Sequence, residues 1–297
     1  MKAPAFSGRA ARAPSGPIWV APWVIGFLVF MALPLGLSAY YSFTDYSLLE
    51  TPVGIGLDNY RELAGDALFR RTMVNTAIYT VGAVGLGTLL ALGLALLLRR
   101  PGPGVTFGRA AVFLPTLVPI VAATLGWGWM LNAEHGLLNA ALASVGVAGP
   151  DWLGDRAWAM PAIIMIGLWN VGGATIIYVA ALQDVPPALE EAASIDGAGP
   201  LGRLRHVILP MISPAILFNV VTATIWSLQI FAIPYILTEG GPEHATYFYT
   251  MYLYDNAFVY GRMGYACAMG WLQFLVIVGL TGVLFRVSRR FVHYHAA

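Results

Sequence analysis

The residues of this 297-residue chain that could do chemistry are few, and their spacing excludes several kinds of site. Lys2 is the only lysine, and a phosphate-binding loop needs a lysine after a glycine-rich turn, so the chain cannot contain one. Cys267 is the only cysteine, which excludes an intrachain disulfide and a cysteine-rich metal site. His293 and His295 are a weak metal signal, and no catalytic triad or carboxylate pair is supported. We therefore expect a chain that is not an enzyme and holds no metal and no cofactor.

Two clusters place an indole ring beside a hydrogen-bonding side chain within long apolar runs. Their members are Trp169, Asn170, Gly173, Thr222, Trp226, Ser227 and Gln229. A sugar ring has an apolar face that stacks on aromatic rings and hydroxyls that need polar partners, so these clusters could line a path for a sugar. Close packing between helices, which favours glycine and small polar residues, is the alternative and stays open.

The longest charged segment on one side of the apolar runs spans residues 184–210. The proline pair at 186–187 has the fixed φ that suits a helix start, and Glu190 and Glu191 follow where the helix dipole favours anions. Gly197 can take the left-handed conformation that ends a helix, and a proline three residues later suits the start of a second one. The segment therefore predicts a helix-turn-helix that projects from the membrane face. A capped loop that only joins two spans is the alternative and stays open.

Membrane-spanning helices must position these residues. The chain is 58% hydrophobic and 10% charged, with a mean hydropathy of +0.71, whereas soluble domains have roughly 25% charged residues. A spanning helix needs about 20 apolar residues, and several stretches qualify. They lie at about 18–42, 72–98, 107–131, 158–183, 211–237 and 263–285. We predict an all-α, polytopic membrane domain of six transmembrane helices at 18–286, with flexible tails at 1–17 and 287–297.

The charged residues indicate orientation and oppose other classes of protein. Eleven of the 16 lysines and arginines lie on the side that holds both termini, which satisfies the positive-inside bias and predicts that both termini are cytoplasmic. The apolar cores of the spans contain no Asp, Glu, Lys, Arg or His, which disfavours an ion-coupled secondary transporter of small solutes. That alternative stays open because backbone carbonyls alone can bind sodium. The net charge of +1 provides no basic surface, so we expect no nucleic-acid partner.

The charged segment also resembles a known motif. It contains Glu191-Ala192-Ala193, three residues, Gly197, nine residues, Val207, one residue and Leu209-Pro210. This resembles the EAA loop of binding-protein-dependent ABC importer permeases, with Val207 in place of the family's Ile as its one departure. The run Asp196-Gly197-Ala198 is similar to the sugar-importer branch, namely the first permease of the maltose, trehalose, arabinose and glycerol-3-phosphate group. Four more stretches along the chain resemble that branch: Leu57-Asp58-Asn59-Tyr60, Asn75-Thr76, Gly240-Gly241-Pro242 and 264–268.

The resemblance implies a fold, a function and a set of partners. The fold is the type I ABC importer transmembrane domain, with six spans and both ends inside. The function is that of the membrane-spanning subunit of an ATP-driven sugar importer in the bacterial inner membrane. The implied partners are a second permease subunit in a heterodimer, two ATPase subunits that bind ATP and Mg, an extracytoplasmic sugar-binding protein, the sugar and the lipid bilayer.

The resemblance also implies roles for residues. It assigns ATPase coupling to Glu190, Glu191, Ala192, Ala193, Asp196, Gly197, Leu209 and Pro210. In such importers Glu191 would form a salt bridge with the ATPase, Gly197 would form the tight turn, and the alanine pair would allow close packing. Some cluster members fall at or beside positions where the maltose-type permease subunit contacts sugar, namely Trp169, Asn170, Gly173 and Ser227. Ala223 and Ile230 are apolar where that subunit has polar contacts, so we expect a different substrate or pose.

Overall fold

The computed structural model describes residues 17–290 and Val292, and this part of the chain is almost entirely helical. The α-helices are α1 (Pro17–Phe27), α2 (Leu33–Tyr41), α3 (Asp58–Gly65), α4 (Ala67–Leu98), α5 (Val105–Phe113), α6 (Ile120–Met130), α7 (Leu137–Ser144), α8 (Arg156–Leu168), α9 (Gly172–Gln183), α10 (Pro187–Ile195), α11 (Pro200–Arg203), α12 (Leu209–Met211), α13 (Ser213–Leu228), α14 (Ala232–Leu237), α15 (Tyr249–Tyr254) and α16 (Met263–Ser288). Segments of π-helix at Leu28–Ala32, Leu204–Ile208 and Asp255–Val259, and of 3-10 helix at Leu114–Leu117, join some of them. Within the described residues, extended pairing is limited to one bridge between Thr44 and Gly54, which confirms the predicted all-α class. The predicted tails fall mostly outside the described residues.

Four helices are long and apolar enough to cross a membrane, and two bent pairs pass the same test together. The four are Trp19–Tyr41, Ala67–Leu98, Ser213–Leu237 and Met263–Ser288, and the pairs are Val105–Leu117 with Ile120–Met130 and Arg156–Leu168 with Gly172–Gln183. The six predicted spans correspond to these, so the described residues provide between four and six crossings, and the count of six stays a prediction.

The two bends divide stretches that the sequence suggests are continuous. The first pair bends by 102° where Val118, the residue before Pro119, has an extended backbone with φ −79° and ψ 128°. Proline disfavours the α conformation of the residue before it, which explains the break. The second pair bends by 49° across residues 169–171, immediately before Gly172.

α4 is the central helix and packs against α8, α9, α13 and α15. Its 32 residues span about 48 Å at about 1.5 Å per residue, so it is longer than the roughly 30 Å hydrocarbon core of a bilayer. Ala91 and Ala95 are fully buried in one cluster with Tyr178 and Val179 of α9. Small side chains at this crossing let the two backbones approach closely.

The buried apolar residues form two cores, one toward each end of α4. We call the end that holds the loops 42–66, 131–155 and 238–262 the loop end, and the end that holds residues 184–212 the hairpin end. The loop-end core includes Tyr79, Ile163, Phe248, Tyr265 and Met269. The hairpin-end core includes Ala91, Ala95, Tyr178, Ile208 and Ile212. The first helix, Trp19–Tyr41, lies outside both cores, since its most apolar stretch has no buried residue.

The carboxylate of Asp66 fixes the loop end of α4 to two later helices. Its Oδ1 accepts hydrogen bonds from the N–H groups of Leu68 and Phe69 at 2.8 and 3.1 Å, which caps α4. Its Oδ2 accepts hydrogen bonds from the hydroxyls of Tyr252 and Tyr265 at 2.5 and 2.7 Å. Burial acts to raise the pKa of Asp66, but the hydroxyl and N–H donors together lower this pKa below its ordinary value.

Two more side chains of α4 bind the segment 238–262. The amide of Asn75 donates to two backbone carbonyls of that segment at 2.8 and 2.9 Å. The N–H of Tyr249 donates to Oγ1 of Thr76 at 3.0 Å. We call these contacts, with those of Asp66, the loop-end clamp.

Candidate functional site

A cavity of about 650 Å³ lies between the two cores. Tyr79 of the loop-end core and Tyr178 of the hairpin-end core both line it. Its walls come from α4, from the bend between α5 and α6, from the break between α8 and α9, and from the end of α13. Irregular backbone at membrane depth is tolerated where it lines a cavity, so helix breaks on its walls are a feature expected of a transport path.

The break between α8 and α9 presents Trp169 and Asn170 to the cavity. The indole of Trp169 contacts that of Trp127 edge-on, with 6.2 Å between ring centroids, and remains 37% exposed. Neither the indole N–H of Trp169 nor the side-chain amide of Asn170 hydrogen-bonds another described residue. The break therefore offers an aromatic face and free hydrogen-bonding groups to a ligand.

The end of α13 presents a second pair to the same cavity. The indole of Trp226 is 73% exposed, whereas Ser227 is buried and donates to the carbonyl of Thr224 at 3.0 Å. Gln229 follows the last residue of α13, and its amide donates to the carbonyl of Ile225 at 3.0 Å. Members of both predicted clusters therefore line one cavity, with Trp169 in the break after α8 and Trp226 in α13.

Two residues predicted from the sequence are not among those that line this cavity. Thr222 donates to the carbonyl of Phe218 on its own helix at 2.9 Å. Gly173 is half-buried, and a Cβ at this position would meet no atom within 4 Å. Its neighbour Gly172 is the closely packed one, because a Cβ there would lie 2.2 Å from the carbonyl oxygen of Val112. The role of Gly173 and Thr222 in the substrate path stays a prediction.

The cavity also contains polar residues that the sequence clusters did not include. Thr88, Tyr178 and Asn219 line its wall, and the hydroxyl of Tyr178 lies near the other two side chains. Tyr178 is fully buried and Asn219 is 8% exposed. An asparagine and a tyrosine deep within apolar runs are a signal in the sequence that could have identified them.

The charged segment 184–210 forms the predicted helix-turn-helix. α10 has Pro187 at its first position, and Gly197 follows its end with φ +81°. The N–H of Gly197 donates to the carbonyl of Ser194 at 3.1 Å, and that of Ala198 donates to the carbonyl of Ala193 at 2.9 Å. Only glycine adopts this φ without a steric cost, which explains the residue at the turn.

Two large apolar side chains are exposed beside the turn of this hairpin. Ile195 is 87% exposed and Leu201 is 75% exposed, on either side of the turn. The remaining predicted coupling residues are Glu191, Ala192 and Asp196, which are exposed, and Glu190, Ala193, Leu209 and Pro210, which are half-buried. Their coupling role stays a prediction.

Comparison with known proteins identifies the family. Residues 83–294 match the family model described as binding-protein-dependent transport system inner membrane component. The chain belongs to this family. It is therefore an ABC importer permease, a multi-pass protein of the inner membrane whose family works with a binding protein.

Three curated relatives match the permease along nearly its whole length. The probable ABC transporter permease protein YesP of Bacillus subtilis is 36% identical, covering 95% of this chain and 93% of the relative. The sulfoquinovosyl glycerol transport system permease protein SmoG of Agrobacterium fabrum is 32% identical, covering 91% of this chain and 89% of the relative. The trehalose/maltose transport system permease protein MalF of Thermococcus litoralis is 32% identical, covering 92% of this chain and 93% of the relative.

A solved structure shares the fold of the permease. It is a chain of the bacterial alginate ABC transporter, crystallised in complex with an alginate pentasaccharide-bound periplasmic protein. The TM-score is 0.82 at 24% sequence identity, covering 94% of this chain and 95% of that chain. This likeness confirms the predicted type I ABC importer transmembrane fold.

Proposed function

We propose that the permease forms half of the translocation path of an ATP-driven sugar importer. The observation that carries the proposal is the single cavity at which two interrupted helices meet. The break between α8 and α9 presents Trp169 with Asn170, and the last turn of α13, just before its interruption, presents Trp226 with Ser227. Such a cavity suits a ligand with apolar faces and directional hydroxyls, which describes a sugar.

The names of two relatives support a glycoside as substrate. SmoG is named for sulfoquinovosyl glycerol and MalF for trehalose and maltose, and each of these compounds is a glycoside. The permease covers about nine tenths of both relatives. We propose that the binding protein selects the individual sugar and that the cavity holds it with moderate affinity, because it must release the sugar inward.

We further propose that the energy comes from separate subunits. The hairpin would face the cytoplasm, as would both termini, and seat its exposed residues Glu191 and Ile195 in an ATPase subunit that binds ATP and Mg. With Lys2 as its only lysine the chain lacks a phosphate-binding loop of its own. The full complex would contain this chain, a second permease, two ATPase subunits and an extracytoplasmic sugar-binding protein.

An ion-coupled carrier is the alternative function, and the two predict opposite results in liposomes. The complex, purified through a tag on this chain and reconstituted with its binding protein, is tested with radiolabelled trehalose, maltose and sulfoquinovosyl glycerol. We expect uptake of a glycoside that requires ATP and binding protein and that an ionophore does not abolish. This chain alone should neither hydrolyse ATP nor accumulate sugar. ATPase activity from the single chain, or ion-driven uptake by it, would contradict the proposal.

A further inference from the structure

The hairpin end of α4 carries a shielded ion pair. Arg99, the residue after α4, pairs through its guanidinium with the carboxylate of Glu190 in the first turn of α10. The two side chains are 19% and 15% exposed, whereas the carboxylate-to-arginine pairs at the loop end are at least 43% exposed on both sides. Solvent and salt screen a shielded pair less than an exposed one, so this contact holds its partners more firmly.

Arg109 fixes the backbone on which Arg99 stands. Its guanidinium donates to the carbonyl of Leu98 from Nε at 3.1 Å and from Nη2 at 2.7 Å. Leu98 is the last residue of α4 and Arg109 belongs to α5, so the end of α4 is tied to the next helix. Arg109 therefore holds in place the backbone that carries the Arg99 side chain.

By contrast, α10 has little else to attach it to α4. The helix contains no buried residue, and it packs mainly against the segment 204–208 of its own hairpin. The hairpin-end core takes in Val185 before the helix and Ile208 after it but no residue of α10. Within α10, the Glu190 carboxylate is thus the group that bonds to the end of the central helix, while Val185 and Ile208 on either side belong to the same apolar core as Ala91 and Ala95 of α4.

α4 carries this link to the cavity. Tyr79, Ala83, Gly87 and Thr88 of α4 all line the cavity wall. Thr88 lies ten residues before Leu98, the last residue of α4 and the neighbour of Arg99, which is about 15 Å at about 1.5 Å per residue. A shift imposed at Arg99 therefore reaches the wall through a single rigid element.

We propose that the Arg99–Glu190 pair is the positioning contact through which movement of the hairpin reshapes the cavity. This inference rests on the proposed function, since an ATPase must move the hairpin. The adjacent glutamates then have different tasks: exposed Glu191 faces the ATPase, and Glu190 faces the permease and transmits the movement to α4. Neither glutamate touches the substrate.

The test reports on the cavity wall rather than on sugar. The complete complex carries Cys267→Ala and the reporter Thr88→Cys, and it is reconstituted in liposomes with the binding protein. A charged methanethiosulfonate labels the reporter with and without trapping of the ATPase by ADP and vanadate. Because couplings between sites are commonly about tenfold in an equilibrium, we expect trapping to change the labelling rate by about tenfold.

Variants of the pair should remove this response while the complex stays assembled. Glu190→Gln or Arg99→Gln should reduce the change to under about twofold, with ATPase subunits still co-purifying in the parental ratio. Exchange of the two charges, Arg99→Glu with Glu190→Arg, should restore the response, which a simple loss of folding would not allow. Arg99→Lys, which keeps the charge, should retain much of the labelling response. Arg156→Gln breaks the exposed pair with Glu243 at the loop end and should have no effect.

Each contrary result identifies which claim fails. A full response in Glu190→Gln overturns the inference and leaves the proposed function intact. Loss of the ATPase from Glu190→Gln in proportion to the lost response would place Glu190 in the ATPase interface and also overturn it. A charge exchange that assembles but does not respond overturns it as well. If the parental complex contains no ATPase, the proposed function fails and the inference fails with it.

Discussion

At its loop end α4 is held by Asp66, Asn75 and Thr76, which hydrogen-bond chain segments more than 160 residues away. At its hairpin end the contact with α10 is one ion pair, made by Arg99 and Glu190, and α10 contains no buried residue. The loop-end segments are therefore held to α4 by several hydrogen bonds, whereas α10 is held to the end of α4 by one ion pair, beside an apolar core in which Ala91 and Ala95 of α4 are buried.

One bundle can be stable at one end and movable at the other when different contacts hold its two ends. Local stability follows buried contacts and satisfied hydrogen bonds, so the loop end should resist opening while the hairpin moves more freely. The cavity lies between them, and α4 lines its wall with Tyr79, Ala83, Gly87 and Thr88.

The largest effect is expected from Asp66→Ala at the loop-end clamp. The substitution removes a carboxylate that accepts four hydrogen bonds, so the hydroxyls of Tyr252 and Tyr265 lose the acceptor to which they donate. Loss of one charged hydrogen bond costs roughly 1.5–3 kcal/mol, so we expect unfolding in detergent to become easier by about 3 kcal/mol. Asp58→Ala, which breaks an exposed pair with Arg61, should cost under about 0.5 kcal/mol. If both variants lost the same free energy of unfolding, the loop-end clamp would stabilise the protein no more than an exposed surface pair does.

The second effect concerns the hairpin turn. Gly197 has φ +81°, so Gly197→Val forces a β-branched residue into a left-handed conformation at a cost of roughly 1–2 kcal/mol. We expect normal membrane insertion, reduced sugar uptake, and an ATPase that dissociates or no longer responds to the binding protein. Gly199→Val is the control, because Gly199 has an ordinary φ of −64° and open space around it. Normal transport with tight ATPase association in Gly197→Val would show that the turn is not needed for coupling.

A smaller effect is expected in the cavity between the two ends. Trp169→Ala removes a stacking surface and Asn170→Leu a hydrogen-bonding partner, each hydrogen bond being worth roughly 0.5–1.5 kcal/mol, or up to about tenfold in affinity. Sugar uptake should fall, while the binding protein's affinity and its stimulation of ATP hydrolysis persist. Trp129→Ala, which removes an indole that is 84% exposed and does not line the cavity, should leave uptake unchanged. If uptake and ATPase stimulation fall together, the two residues are packing elements instead.

The smallest effect should appear at acidic pH. The pKa of Asp66 is lowered in the folded permease, so its stabilising contribution is complete above the pKa of the unfolded chain, about 4. That contribution is lost as the pH falls from there through the lower folded pKa. Thermal unfolding of the parent should therefore occur at lower temperature as the pH falls below about 4, and Asp66→Asn should show a flatter dependence in that window. Identical profiles would mean that Asp66 does not hold the loop end through its charge.

Features set by nearby residues were predictable from the sequence. The proline at the start of α10 and the positive φ of Gly197 follow from local chemistry, and the spans follow from apolar length. The carboxylate of Asp66 meets Tyr252 across 186 residues, and Arg99 meets Glu190 across 91, and no local pattern encodes either contact. The breaks that expose Trp169 and Gln229 depend on how helices pack around the cavity. Sequence reasoning therefore identified cavity residues by type but could not show that Gly173 and Thr222 lie outside its wall.

The central claim is that a separate ATPase binds the hairpin end and not the loop end. It is tested most directly by photo-crosslinking in intact membranes, with benzoylphenylalanine replacing Ile195, which is 87% exposed, or Leu49, which is 96% exposed at the loop end. We predict that position 195 forms an adduct with a nucleotide-binding subunit, identified by mass spectrometry, and that position 49 does not. An ATPase adduct from position 49, or none from position 195 in an actively transporting complex, would contradict the account.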